Sequence, residues 1–133
     1  MTRVRSYAAT AVIMLGLDML WLGVIAPPLY HRAIGALLRP QPDLLAAALF
    51  YAIYVMGVNE LVIRTFPPDA RVAQVAARGA LFGFVAYATF DLTAQAVLAG
   101  WSPLVTVVDM TWGTVLTAIV AGAAHRVSRT SGS

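Results

Sequence analysis

Four apolar stretches, separated by short polar or proline-containing segments, dominate this sequence of 133 residues. Each is about 20 residues long, which is the length a helix needs to cross the hydrocarbon core of a bilayer. Because 60% of the residues are hydrophobic and only 11% are charged, the composition lies outside the range of soluble domains. The sequence therefore predicts a single all-α domain, residues 1–133, that spans a membrane four times.

Prolines and turn residues set the boundaries of these spans. Pro27 and Pro28 end the first apolar stretch, since proline lacks the N–H that continues a helix. Pro67 and Pro68 follow the second stretch, and a turn around Gly100 separates the third from the fourth. The predicted spans cover residues 7–26, 44–63, 79–99 and 104–124, followed by a polar tail over residues 126–133.

The segment after Pro28 predicts a short amphipathic helix in the membrane interface. Its apolar residues recur at helical spacing, and basic residues such as His31 and Arg32 lie between them. Pro28 suits the first position of such a helix. We therefore expect a polytopic four-helix transmembrane bundle with a short interfacial helix in the first outer loop.

All nine basic residues are arginines, and their distribution indicates an orientation. Only Arg32 and Arg39 lie on one side of the predicted spans. Because arginine is enriched in cytoplasmic loops, we expect both termini in the cytoplasm, as in a multi-pass protein of a bacterial inner membrane. Arginines at helix ends do not indicate a nucleic-acid partner. The remaining arginines are Arg3, Arg5, Arg64, Arg71, Arg78, Arg126 and Arg129.

Three aspartates, Asp18, Asp91 and Asp109, lie inside three of the predicted spans. An ionised carboxylate at the bilayer centre costs about 2.5 to 3.5 kcal/mol on the insertion scale, so such residues usually have a partner or a function. At about 1.5 Å per residue, the three carboxyl groups and Tyr51 lie roughly 9 to 12 Å below the outer surface. The sequence thus predicts one polar layer to which every helix contributes.

A stripe on the third span extends this layer. Its residues follow each other at intervals of four, so we expect them near one face of the helix. Glycines in such a stripe allow a neighbouring helix to approach closely. The stripe consists of Gly79, Gly83, Tyr87, Asp91 and Gln95.

Two tryptophans are placed to join the same layer. Trp21 follows Asp18 by three residues and Trp112 follows Asp109 by three, on spans of opposite direction, which suggests an inverted repeat. We expect each indole ring either to line a pocket or to pack against the other helices of the bundle. The candidate ligand- or proton-binding residues are Asp18, Asp91, Asp109, Tyr51, Tyr87, Gln95, Trp21 and Trp112.

The spans contain no arginine that would pair with these acids. Neighbouring buried carboxylates cannot all stay ionised, so we expect at least one to be protonated, to share a proton, or to bind a cation or a cationic ligand. This favours a proton- or cation-linked binding or transport unit for a small amphipathic or cationic ligand. Because four short helices rarely enclose a pathway alone, a homo-oligomer is predicted.

Two alternatives stay open. A membrane-embedded enzyme acting on a lipid or isoprenoid would use one aspartate as a general base and a neighbour as a general acid. It predicts a cavity open sideways to lipid near Trp21 and Trp112. A non-catalytic accessory or structural subunit would use the polar layer only for hydrogen bonds between helices.

Other residues carry simpler predictions. The chain has no cysteine, and His31 and His125 lie at opposite membrane boundaries, so no metal site and no cofactor are predicted. Glu60 lies four residues before Arg64, a spacing that favours an ion pair on a helix.

Four motifs are spread over nearly the whole chain: LDMLWLG at residues 17–23, FYAIYVMG at 50–57, GALFGFVAYATFDLT at 79–93 and VVDMTWGTVLTA at 107–118. Together they resemble a bacterial family of membrane proteins classified only as a domain of unknown function, DUF2177. The resemblance implies a four-span protein, and it implies no activity. Its motif positions in this sequence are Asp18, Trp21, Asp91, Asp109 and Trp112.

Overall fold

The computed structural model describes residues 2–131, and within them the chain is helical with no β-strand. Four helical stretches in this range are long and apolar enough to cross a membrane: Arg3–Leu37, Leu44–Thr65, Val72–Val97 and Pro103–Ser128. The predicted all-α, four-span fold is confirmed. The elements are α1 (Thr2–Leu20), a π-helical segment (Trp21–Ile25), α2 (Ala26–Ile34), α3 (Leu44–Leu61), α4 (Val72–Val97) and α5 (Pro103–Ser131), with short 3-10 turns at Gly35–Leu37 and Ile63–Thr65.

The first helix does not end at Pro27 and Pro28, so that prediction was wrong. After α1, the N–H of Ala26 donates to the carbonyl of Trp21, the wider spacing of a π-helix. The prolines then occupy the first turn of α2, where a missing N–H needs no partner. The predicted short helix after Pro28 is therefore present as α2, but no loop separates it from the first span.

Two further boundaries differ from the prediction. Helix α4 begins at Val72, before the expected start at residue 79, and α5 continues to Ser131 through the predicted polar tail. The carboxyl end of α5 is held in place by His125, whose imidazole Nε2 donates to the carbonyl of Ala70, 2.9 Å away, in the linker between α3 and α4. Gly132, Ser133 and the side chain of Arg129 lie outside the described residues.

Helix α5 lies at the centre of the bundle. It packs most closely against α4 and next against α1, whereas α3 packs mainly on α1 and approaches α4 much less closely. Fully buried apolar side chains such as Met14, Val58 and Leu116 fill the space between them. The arrangement leaves a cleft between α3 and α4, and this cleft determines the shape of the candidate site.

Glycines make the close approach of α4 and α5 possible. A Cβ on Gly83 would lie 2.3 Å from the carbonyl oxygen of Gly113, and one on Gly79 would lie 2.7 Å from that of Thr117. Real Cβ atoms are not found so close to backbone oxygen, because the contact is strongly repulsive. The glycines of the predicted stripe therefore do lie against a neighbouring helix.

Candidate functional site

Asp18 joins three helices through its carboxyl group. The indole N–H of Trp112 on α5 donates to Asp18 Oδ1 at 3.1 Å, and the hydroxyl of Tyr51 on α3 donates to Oδ2. The side chain is buried. Because each oxygen has a donor, this carboxyl group is well satisfied where it stands.

Asp109 on α5 is held by a residue that the sequence did not predict. The hydroxyl of Tyr30 on α2 donates to Asp109 Oδ1 at 2.7 Å. This bond depends on the continuous first helix, since α2 would not be fixed beside α5 if the chain looped out at Pro28. In the sequence, the one hint of this contact was that Tyr30 carries a hydroxyl group able to donate a hydrogen bond.

Asp91 on α4 is the unsatisfied member of the group. Its side chain is completely buried, and within the described residues neither carboxylate oxygen has a hydrogen-bond partner. Its carboxyl group lies near enough to that of Asp109 for the two to interact electrostatically. A buried polar atom without a partner is costly, so its position calls for an explanation.

The three acids have no basic partner in the part of the chain that is described. The ion pairs found there join Glu60 to Arg3 and Arg64, and Arg39 to Asp43, and all lie toward the ends of the helices. An unpaired charge at depth is disfavoured in a bilayer. Asp91, whose oxygens have no partner among these residues, therefore needs a proton, a cation or a donor from outside this set.

The cleft between α3 and α4 leads from the surface of the bundle to Asp109. Its volume is about 340 Å³. Phe50 and Phe90 are exposed at its mouth, and the rings of Tyr54 and Tyr87 meet edge to face within it, with centroids 6.2 Å apart. The cleft thus combines aromatic walls with one carboxyl group. Its lining residues are Phe50, Tyr54, Ala86, Tyr87, Phe90 and Asp109.

Tyr54 is a second lining residue that sequence reasoning missed. Its hydroxyl hydrogen-bonds to Thr117 Oγ1 at 2.7 Å, which ties α3 to α5. It follows the predicted Tyr51 by three residues and so lies on a neighbouring part of the same helix face. That spacing was the feature of the sequence that could have identified Tyr54.

The two tryptophans pack against each other. The rings of Trp21 and Trp112 are stacked, and a groove of about 270 Å³ lies beside them on the surface of the bundle. The groove walls are otherwise formed by α5 residues. Its lining residues are Trp21, Val107, Val108, Thr111, Trp112 and Val115.

Of the two remaining predicted residues, Tyr87 lies inside the site and Gln95 lies outside it. Tyr87 lies against Gly113, where a Cβ would be 2.2 Å from its ring, and it lines the cleft. Gln95 is exposed on α4, and no hydrogen bond among the described residues joins it to the acids. The predicted residues thus fall into two contact groups. Asp18 joins Tyr51 and the two tryptophans, and Asp109 lies with Tyr87 and Asp91. Gln95 lies apart from both.

Residues 3–125 match the model of a family described as predicted membrane protein, DUF2177. The chain belongs to this family. Membership in DUF2177 agrees with the four apolar helices, and it shows that the resemblance expected from the four motifs is correct. The chain matches no curated protein and no solved structure at a significant level.

Proposed function

We propose that this protein binds a small cationic amphiphile in the cleft between α3 and α4, with Asp109 and Asp91 as the anionic anchor. One observation carries the proposal. Asp109 lines an aromatic cleft. The buried Asp91, which interacts electrostatically with Asp109, has no partner for either oxygen among the described residues. A positive headgroup at Asp109 would supply the charge that the described residues do not.

The walls of the cleft suit such a ligand. A cation over the face of Tyr54 or Tyr87 would gain about 0.5 to 2 kcal/mol from the ring quadrupole. The apolar tail of an amphiphile would leave the cleft between Phe50 and Phe90, which are 43% and 59% exposed, and would continue into lipid. The headgroup and tail would thus both meet surfaces of matching polarity.

An organic cation is favoured over a metal ion. In the described range, no three His, Cys, Asp or Glu side chains converge as a metal site requires. Two neighbouring carboxyl groups backed by aromatic rings are better matched to an ammonium group, which needs fewer oxygen ligands. Binding would displace a proton from the acid pair, which would link ligand binding to proton release.

Transport is the wider form of this proposal. A single bundle of four helices encloses little space, so transport would require a homo-oligomer in the bacterial inner membrane. The arginine-rich end would face the cytoplasm, which would put both termini there. The cleft between α3 and α4 would then be reached from the lipid or from a neighbouring copy.

The enzyme alternative has less support. It predicts a lateral cavity at Trp21 and Trp112, and a groove does lie there, but none of the described residues lining it is acidic. An acid–base reaction needs a titratable group within hydrogen-bonding reach of the substrate. Asp109, by contrast, lines the cleft between α3 and α4, and this supports binding there.

Calorimetric titration of the detergent-solubilised protein with dodecyltrimethylammonium tests the proposal. Asp109→Asn and Asp91→Asn should each weaken binding about tenfold, because each removes an acid whose negative charge would attract the cation. Asp43→Asn is the matched control, because Asp43 is an exposed acid and asparagine preserves its helix cap. It should bind as the unchanged protein does.

The neutral surfactant octaethylene glycol monododecyl ether, which has the same alkyl chain, should not compete with the cation. Equal binding of the cation by all variants would indicate simple partitioning into the micelle and would reject the site. Uptake of the same cation into proteoliposomes then separates transport from binding alone.

A further inference from the structure

A second cavity, of about 270 Å³, lies at the arginine-rich end of the bundle and shares no lining residue with the aspartate cleft. It is formed by the start of α1, the linker between α3 and α4, and the end of α5. Buried polar side chains, Ser6 and His125 among them, form its floor. Its lining residues are Arg3, Ser6, Ile63, Arg64, Phe66, Pro68, His125 and Ser128.

Positive charge exceeds negative charge around this cavity. Glu60 pairs with both Arg3, at 3.5 Å, and Arg64, at 2.9 Å, and it also accepts from the hydroxyl of Tyr7. Two guanidinium groups therefore share one carboxylate, which leaves one positive charge in excess. Arg78 adds a third guanidinium nearby, stacked 5.4 Å from the ring centroid of the lining residue Phe66.

The two arginines keep donors for a further anion. A guanidinium group has five N–H donors in a planar fork. Arg64 uses one terminal nitrogen for both Glu60 oxygens, and Arg3 uses one terminal nitrogen for the same carboxylate. Glu60 thus fixes both guanidinium groups at the cavity while their other N–H groups stay available.

The hydroxyl and imidazole groups of the floor are already committed. Ser6 donates to Asn59, Ser128 donates to the carbonyl of Ala124, and His125 Nε2 donates to the carbonyl of Ala70. The Ser6 bond joins α1 to α3 and the His125 bond joins α5 to the linker before α4, whereas the Ser128 bond lies within one turn of α5. These groups are engaged within the protein, so recognition of an anion falls to Arg3 and Arg64.

We infer that this cavity binds a phosphate group through Arg3 and Arg64. Guanidinium forks match the geometry of phosphate oxygens and form short charge-assisted bonds with them. The cavity lies where two spans begin and two end, at Arg3, Thr65, Val72 and Ser128, which is the depth of lipid headgroups. The phosphate belongs to an anionic phospholipid or to a soluble phosphate compound that enters from the adjoining water.

Native mass spectrometry of protein exchanged into mixed phosphatidylglycerol and phosphatidylcholine tests this inference. The unchanged protein should retain phosphatidylglycerol in preference to phosphatidylcholine. Arg64→Gln and Arg3→Gln should each lower that preference about tenfold, the size expected for loss of one charge-assisted contact. Arg3→Gln guards against misfolding, because Arg3 is 61% exposed and supports no buried contact.

Arg71→Gln is the matched control, since it removes the same charge from an exposed arginine at the same end of the bundle, outside the cavity lining. It should retain phosphatidylglycerol as the unchanged protein does. Thermal stabilisation by inorganic phosphate, absent in Arg64→Gln, would assign the cavity to soluble phosphate compounds. Equal lipid retention in all four proteins, together with no effect of phosphate, would overturn the inference.

Discussion

The indole rings of Trp21 and Trp112 stack face to face, with their centroids 4.5 Å apart and their planes inclined by 6°. Trp21 lies in the π-helical segment and Trp112 in α5, and each follows an aspartate by three residues. The stack brings the two copies of this short motif into contact. Trp112 also donates to Asp18, so the first copy's acid is held by the second copy's indole.

Trp112→Phe should destabilise the protein by about 1 to 3 kcal/mol, because it takes a hydrogen-bond donor from a buried carboxyl group. Trp21→Phe keeps an aromatic ring in the stack and should cost less, about 0.5 to 1.5 kcal/mol. Denaturant unfolding in detergent micelles, followed by circular dichroism, measures both. Equal losses in the two variants would show that stacking, and not the bond to Asp18, matters at this contact.

Gly83→Ala should disrupt the contact between α4 and α5. The new methyl group would lie 2.3 Å from the carbonyl oxygen of Gly113, and relieving such a contact costs about 1 to 3 kcal/mol. Gly16→Ala is the control, because nothing lies within 4 Å of its Cβ position. Thermal unfolding should show a lower midpoint for Gly83→Ala alone. An unchanged midpoint would mean that α4 and α5 do not pack this closely.

The two tyrosine–aspartate bonds should differ in their contribution to stability. Tyr51→Phe removes a donor from Asp18, which is buried, and should cost about 1 to 3 kcal/mol. Tyr30→Phe removes a donor from Asp109, which is only partly buried, and should cost about 0.5 to 1.5 kcal/mol. Unfolding free energies of the two variants under one condition test the order. The reverse order would contradict the burial of Asp18.

The π-helical segment should set the position of Tyr30 relative to Asp109. Because the chain has no cysteine, a Tyr30→Cys and Asp109→Cys pair can be crosslinked without background. Adding Pro27→Ala and Pro28→Ala restores two N–H donors and should allow a regular α-helix, which turns α2 by about 100° for each residue of shift. Crosslinking should then fall sharply. Undiminished crosslinking would show that the prolines do not maintain the π-helical segment.

The sequence predicted the four spans because their length and composition are unambiguous, and it predicted the ion pair of Glu60 with Arg64, which is confirmed. It failed at Pro27 because a π-helical turn, set by backbone hydrogen bonds, has no reliable signal in residue type. It therefore missed Tyr30 as well. Contacts of this kind depend on the rotation of one helix against another, which periodicity does not fix.

Gln95 shows a limit of the four-residue stripe. With 3.6 residues per turn, each step of four residues turns the direction of the side chain by about 40°. Gly79 and Gly83 face α5, and Asp91 is still buried three steps after Gly79. One step later the accumulated rotation is about 160°, and Gln95 emerges on the surface. Residues spaced by four therefore stay on one face of a helix for only a few turns.

The helical stretch Arg3–Leu37 contains 35 residues, which corresponds to about 52 Å of helix. The hydrocarbon layer is about 30 Å thick, and tilts of transmembrane helices stay below about 40°. Tilt alone cannot fit this helical stretch within the hydrocarbon layer, so one end extends into the headgroup region. With His31 and Arg32 exposed near that end, the last turns of this stretch would meet the polar headgroups and not the hydrocarbon chains.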